Sequence, residues 1–409
     1  MKNRLAIALA MSILLSTCPT TRADDDYPIM SWETGVRSDR FSDSRNGLAS
    51  LVDCGFTRAG FVRPDQLPLC EKLGIKAIVA PDSNPIDWKS LTDAQIDQRI
   101  GDVVTQSHDS NAVIGYFIFD EPGTESFPAL AKAVAAVKKY APGKLAYINL
   151  FPEYATLGAP NISQLGTKSY EEYLERFIAE VKPELISYDN YQIQYSNDQQ
   201  AANVAASYYR NLLIVRRIAL KHNLPFWNIV SCNQQLPQMP IPTPANFQLQ
   251  AFTTLAAGAD GLTWYTYYAC NYFYAPINDD KNRTATWAYL KMVNDQVKVL
   301  GPIIGKLKST GVYFTSPAMA TDLPLLPGEI TQEVKSGTPI MVGEFSGGSG
   351  ERYVMLVNLS LERSTRVEMK YKLHQPAGYI SPADGSLIQL DKDGALRLTV
   401  GQGALIKLK

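Results

Sequence analysis

Two adjacent carboxylates close an apolar run in Ala112-Val-Ile-Gly-Tyr-Phe-Ile-Phe-Asp-Glu-Pro-Gly123. The run is short, β-branched and aromatic, so it reads as a buried strand. Pro122 has no N–H to give a central ladder, so the strand ends there. Asp120 and Glu121 therefore stand at the C-terminal lip of a buried strand. In a parallel α/β protein that lip is where substrates bind. A plainer alternative is a polar strand exit leading into a helix. The chemistry open to such carboxyls is acid–base work. Cleavage of a glycosidic bond, for instance, needs one carboxylic acid to protonate the leaving oxygen and a second carboxylate as nucleophile or base.

The elements that must position these groups follow from periodicity. Eight strand-like runs alternate with helical ones: Tyr27–Glu33, Phe56–Val62, Ile75–Ala80, Val113–Phe119, Leu145–Leu150, Leu185–Asp189, Phe226–Ser231 and Gly261–Tyr267. Gly falls just before the second, third and eighth runs (Gly55, Gly74, Gly261), as at helix C-caps. Pro142, Pro183 and Pro225 stop the helices before the fifth, sixth and seventh. Eight βα units predict a (β/α)₈ TIM barrel. A doubly wound sheet is the rival, but its Gly-rich first turn is absent. Past Lys308 the helical periods vanish and short alternating runs such as Tyr353–Leu359 and Thr365–Tyr371 appear. They predict a small antiparallel β-sandwich. The expected division is a signal peptide over 1–23, a barrel over 24–309 and a sandwich over 310–409.

Composition narrows the function classes. Lys+Arg 39 against Asp+Glu 40 leaves a net charge of -1 in 409 residues, so no basic field favours nucleic acid. The three histidines, His108, His222 and His374, are scattered, and no Cys-x-x-Cys occurs. No zinc or Cys/His metal site, and no cofactor, is expected. The basic start Met1-Lys-Asn-Arg, the apolar Leu5–Leu15 and the small-residue end at Ala23 form a secretory signal. This implies a secreted or periplasmic protein with no transmembrane segment. Leu15-Ser-Thr-Cys18 also resembles a lipoprotein box, a minority reading because Thr17 fits it poorly. Export makes Cys54, Cys70, Cys232 and Cys270 candidates for disulfides. Cys232 and Cys270 leave neighbouring strands, close enough for a bridge; the alternative is four buried free thiols.

Taken strand by strand, the acids at the lip are Glu33, then Asp120 and Glu121, then Glu153, then Asp189; the seventh strand offers only Cys232-Asn-Gln. An acid followed by Glu-Pro at the end of the fourth strand resembles clan A of the glycoside hydrolases, whose Asn-Glu-Pro supplies the acid/base. The eighth strand, with Trp264 amid Tyr265 and Tyr267, is similar to that clan's aromatic sugar platform. More narrowly, Gly115–Pro122, Ala146–Pro152 and Ser187–Tyr191 resemble a group of secreted bacterial barrels loosely related to the family 42 β-galactosidases. The resemblance spans Tyr27 to about Lys308. It implies Glu121 as general acid/base and Asp120 as a contact to the sugar's 2-hydroxyl.

The clan's nucleophile is a Glu at the end of strand seven, and this chain has none there. The second carboxylate is therefore Asp189, flanked by Tyr188 and Tyr191, or Glu33, with Glu153 third. Otherwise the chain is a non-catalytic carbohydrate-binding barrel, a pseudoenzyme. Trp32, Tyr116, Tyr147, Asn149, Tyr191, Asn233, Trp264 and Tyr267 are the expected sugar-site lining. Strand alternation turns about half of the aromatics inward. The expected partner is a carbohydrate substrate.

Overall fold

The structure is a computed structural model of the chain. It describes residues 26–33, 40–80, 86–156, 163–194, 205–316, 318, 320, 322–373, 375–390 and 392–409. The expected signal segment, Cys18 and His374 lie outside the described residues.

Eight parallel strands close into a barrel in sequence order: β1 (Ile29–Trp32), β2 (Arg58–Val62), β3 (Lys76–Val79), β4 (Val113–Asp120), β5 (Leu145–Leu150), β6 (Ile186–Asp189), β7 (Phe226–Ser231) and β8 (Gly261–Tyr265). Each is followed by a helix: α1 (Leu48–Asp53), α2 (Leu67–Leu73), α3 (Asp93–Thr105), α4 (Phe127–Tyr140), α5 (Tyr170–Val181), α6 (Ala205–His222), α7 (Pro244–Ala256) and α8 (Ala285–Ile304).

Local chemistry sets the helix boundaries. The Thr92 hydroxyl accepts from the Gln95 amide, and the Gln95 side chain accepts from the Thr92 amide, forming a capping box on α3. The Ser169 and Thr243 hydroxyls accept from the Glu172 and Asn246 amides and so cap α5 and α7, and Pro244 sits at the first position of α7. Gly74 ends α2 in the left-handed region. Gly261 has a different role from a helix cap. It opens β8, and a Cβ there would meet the Trp227 ring at 2.6 Å. The glycine makes room for an indole inside the barrel.

The barrel interior is a packed core, as its size requires. Met30, Trp32, Phe61, Ile78, Tyr147, Leu185, Trp227 and Ile229 form one cluster, closed by the near-perpendicular pair Trp32–Phe61 with centroids 4.8 Å apart. Alternate residues of each strand face outward onto the helices, where Ile29, Tyr116, Ile148, Tyr188, Val230 and Trp264 belong to the larger core.

The C-terminal part holds two antiparallel sheets. The six-stranded sheet has the order β15–β14–β17–β12–β11–β9, from β9 (Lys308–Phe314), β11 (Ile340–Ser346), β12 (Arg352–Asn358), β14 (Pro376–Ile380), β15 (Leu387–Ile388) and β17 (Gly403–Leu408). The three-stranded sheet is β10–β13–β16, from β10 (Thr331–Lys335), β13 (Thr365–Tyr371) and β16 (Leu396–Leu398). Both faces of the larger sheet are apolar. Ile340, Val342, Val354, Leu356 and Ile406 pack with Val367 and Leu398 of the smaller sheet. Met341, Phe345, Met355, Val357 and Leu405 join the barrel's own helical core instead. The sheet is thus a middle layer, which explains the near-continuous apolar run of β12.

Candidate active site

The site is built from three neighbouring strands. The β4–β5 register pairs Asp120 with Asn149, and the β5–β6 register pairs Asn149 with Ser187. Asn149 and Ser187 share the inward parity of Tyr147 and Leu185. On β4 a bulge between Phe117 and Phe119 shifts that parity, so Phe117 joins the interior cluster while Asp120 still meets Asn149. Without the bulge, Asp120 would face the helices.

Asn149 is the hub. Its Nδ2 donates to Oδ1 of Asp120 at 3.0 Å and to Oδ1 of Asp189 at 3.0 Å. Ser187 Oγ donates to Asn149 Oδ1 at 3.2 Å, which fixes the amide's orientation. The Ser187 hydrogen being committed, Tyr147 OH donates to Ser187 Oγ at 2.8 Å. Glu121 follows at the lip. Its amide donates to Asn149 O at 2.9 Å, and its φ is 50°. A glutamate in the left-handed region is uncommon and is held there only by surrounding structure; such residues gather at functional sites.

These carboxyls titrate abnormally. Asp120 opens to solvent at the lip, yet the crowding barrel wall pushes its carboxyl up to about 6, against the pull of the Asn149 hydrogen bond. Glu121 is pushed up to about 7, first by burial and then by the Asp120 charge, while a hydrogen bond with Asp189 opposes the shift. Asp189 is 3% exposed. Burial, then Glu121 and then Asp120 hold its proton well above the usual carboxylate range, against hydrogen bonds from Asn149 and Tyr191. Of the two carboxyls at the lip, Asp120 ionises before Glu121. Burial favours the protonated form of Asp189, and a proton held there is donated to Glu121, the sense in which the contact lowers the Glu121 pKa.

The remaining expected residues separate into two groups. Tyr191 reaches the mouth and stacks on Tyr265 with ring centroids 5.2 Å apart and 28° between planes. Tyr265 OH and Tyr272 OH are 2.9 Å apart, extending the aromatic wall. Trp32 and Tyr147 are inside the barrel but below the mouth, in the interior cluster. Tyr116, Trp264 and Tyr267 face the other way. Tyr116 OH meets Ser107 at 3.2 Å, Trp264 Nε1 donates to Asn294 at 2.8 Å, and Tyr267 OH lies between Ser50 and Trp287. Asn233 is fully buried in the β7 exit turn, its Nδ2 donating to Thr266 Oγ1 at 3.4 Å. The aromatic side chains that gather at the mouth are therefore Tyr191, Tyr265 and Tyr272, while Trp264 and Tyr267 lie among the helices. Alternation along Gly261-Leu-Thr-Trp-Tyr265 carries that signal once Gly261 is known to face inward.

Two expectations about the second carboxylate are revised. Glu33 has the outward parity of Ile29 and Ser31 and is fully buried. Its Oε1 accepts from the amides of Tyr267 at 2.8 Å and Tyr268 at 3.2 Å, so it clamps the turn after β8 and does not face the mouth. Asp189 does join Glu121, but within hydrogen-bonding reach. That is closer than the roughly 5–5.5 Å of a nucleophile or the 6.5–9.5 Å of a water-activating base across a sugar. Glu153 begins the segment after β5, where its backbone amide donates to Asn211 Oδ1 of α6 at 2.9 Å.

The anticipated Cys232–Cys270 bridge is absent, and Cys54, Cys70, Cys232 and Cys270 form no disulfide among the described residues. Cys232 has outward parity, and its Sγ donates to Thr266 O at 3.1 Å; Cys270 lies 3.5 Å from an Arg40 guanidinium nitrogen. Among the described residues no group of three or more His, Cys, Asp or Glu could hold a metal ion. No helix among them is long and apolar enough to cross a membrane.

No protein-family model matches the sequence, and neither does any curated protein. Solved structures do match. A catalytic mutant of a GH42 β-galactosidase from G. stearothermophilus aligns with TM-score 0.64 at 8% identity, covering 94% of this chain and 98% of that one. A β-galactosidase from the psychrophilic Marinomonas ef1 aligns with TM-score 0.49 at 10% identity over 68% of this chain, which spans 60% of that enzyme. An endo-β-1,4-mannanase from Thermotoga petrophila gives TM-score 0.47 at 11% identity, covering 85% of this chain and 98% of that one. Over nearly its whole length, then, the chain shares its fold, a closed (β/α)₈ barrel followed by antiparallel sheets, with a GH42 glycoside hydrolase.

Proposed function

We propose that this chain is an exported glycoside hydrolase whose proton donor is Glu121. The observation that carries the reading is the convergence of Asp120, Glu121 and Asp189 on Asn149 at the barrel mouth, beside an aromatic wall of Tyr191, Tyr265 and Tyr272. Stacked tyrosines suit the apolar face of a sugar ring. The exported location rests on the basic, apolar and small-residue segments of the first 23 residues.

The roles follow from which carboxyl holds its proton. Near pH 6–7, Glu121 retains a proton and Asp120 has begun to lose its own. Glu121 passes its proton to the glycosidic oxygen as the C–O bond breaks. Water adds to the sugar carbon, and Asp120, exposed at the lip, takes the proton that water releases. Asp189 keeps its proton and donates a hydrogen bond to Glu121, which favours the carboxylate that forms there. In this reading Asp120 serves water and no glycosyl–enzyme bond forms, so displacement occurs in one step and inverts the anomeric carbon. Proton NMR of a fresh hydrolysate tests this: the inverted anomer is expected first, and initial retention would contradict it.

A second reading is a carbohydrate-binding barrel without turnover. It is favoured by the β7 exit, where Cys232, Asn233 and Gln234 are buried and none is a carboxylate. A glycan that binds, protects the protein thermally and is never cleaved would select that reading.

A further inference from the structure

A cleft of about 580 Å³ opens beside the central mouth, between the segments that follow β3, β4 and β5, and Glu121 is part of its wall. The remaining surface of the cleft is unlike the mouth. Ile86, Phe119, Leu130 and Phe151 supply its apolar lining, and Trp88 adds an indole whose N–H is already spent on Ile118 O at 2.8 Å. The rim is polar, with Lys89 and Glu125 paired at 3.4 Å. The β4 bulge produces this division. Phe119 lines the cleft, Asp120 meets Asn149 in the barrel mouth, and Glu121, turned at φ 50°, belongs to both spaces.

From this geometry we infer that the side cleft receives the leaving group, and that this group is apolar or aromatic, so that the substrate is a glycoside with a hydrophobic aglycone. The inference rests on the reading of Glu121 as proton donor. The bond to be cut must pass Glu121. The sugar then lies over Asp120 and the tyrosine wall, and the aglycone oxygen takes the Glu121 proton on the cleft side. The departing product is the neutral alcohol or phenol, and the sugar carbon gains the hydroxyl from water. The cleft's size is that of ordinary small-molecule sites, and its apolar floor with a polar rim matches their usual make-up. Asp87, Lys89, Glu125, Ser126 and Gln164 supply the polar part of the lining, while Ile86, Trp88, Phe119, Leu130 and Phe151 offer an apolar group the contacts that a sugar's hydroxyls would not use.

The test uses the full chain, with p-nitrophenol and matched phenyl and methyl glycosides as probes. Ile86 is half-buried on a loop, so Ile86→Glu places a charge in the cleft without opening the barrel core. In the Glu121→Gln background, ligand-observed NMR is expected to saturate the phenyl protons. Ile86→Glu should weaken phenyl glycoside binding about tenfold or more and leave the methyl glycoside unchanged. Equal losses for both glycosides, or phenyl binding indifferent to Ile86→Glu, would overturn the inference. So would p-nitrophenol that binds neither wild type nor variant. If p-nitrophenol binds, is expelled by Ile86→Glu, and yet no glycoside is hydrolysed by wild type, the hydrolase reading fails while the apolar cleft stands.

Discussion

Glu121 and Asp120 are consecutive in sequence yet differ in environment, and that difference is the basis of the proposed chemistry. Because Glu121 must be protonated and Asp120 ionised, kcat/KM should trace a narrow bell with limbs near 6 and 7, the two values belonging to the coupled cluster as a whole. Asp120→Asn removes the charge that raises Glu121. The descending limb should then move to lower pH, and the ascending limb should vanish along with most of the activity. A pH profile of the variant checks both; a descending limb that stays in place would show that Asp120 does not act on Glu121. Asp189→Asn should shift the descending limb upward, since the hydrogen bond favouring ionised Glu121 is weakened. At this scale the sequence was informative where a residue's type and strand end decided the matter, as with Asp120, Glu121 and Asp189. It was silent on direction. Trp264 and Tyr267 are as aromatic as Tyr265, and only strand parity, altered on β4 by a bulge, separates the wall of the mouth from the core.

Elements hold these residues in place, and the turn after β8 is the clearest case. The Glu33 carboxylate takes two buried backbone amides of that turn, which continues from Tyr265 toward Tyr272. Glu33→Ala leaves both amides without that acceptor and should cost about 1–3 kcal/mol of stability for each. A thermal melt checks the stability, and sugar affinity should fall with it as the tyrosine wall loosens. Unchanged stability would mean that Glu33 is not the clamp. The eight βα units were legible because each carries its own periodicity and punctuation, such as Gly74 after α2 and Pro183 before β6. The clamp was not, because a buried Glu at a strand end looks the same in sequence whether it meets substrate or backbone amides.

The whole molecule behaves as one packed body. The six-stranded sheet buries one face on the barrel's helices, and Gly343 of β11 lies so close to α7 that a Cβ would meet Ala256 O at 2.1 Å. Gly343→Val should therefore destabilise the entire chain, by about 1–3 kcal/mol or more. Calorimetry should show a single transition in wild type and a lower one in the variant. Two independent transitions in wild type would contradict a shared core. That sharing was only half legible: the run Tyr353–Leu359 announced a buried strand but not which two layers bury it. The proposed function has this body hold one proton donor at the mouth, so the most direct measurement is hydrolysis of a glycoside and glycan library by wild type and Glu121→Gln side by side. Wild type should cleave at least one glycoside, and Glu121→Gln should lose about 10²–10⁴-fold in rate on it. A variant as active as wild type, or a wild type that binds glycans and cleaves none, would contradict the account.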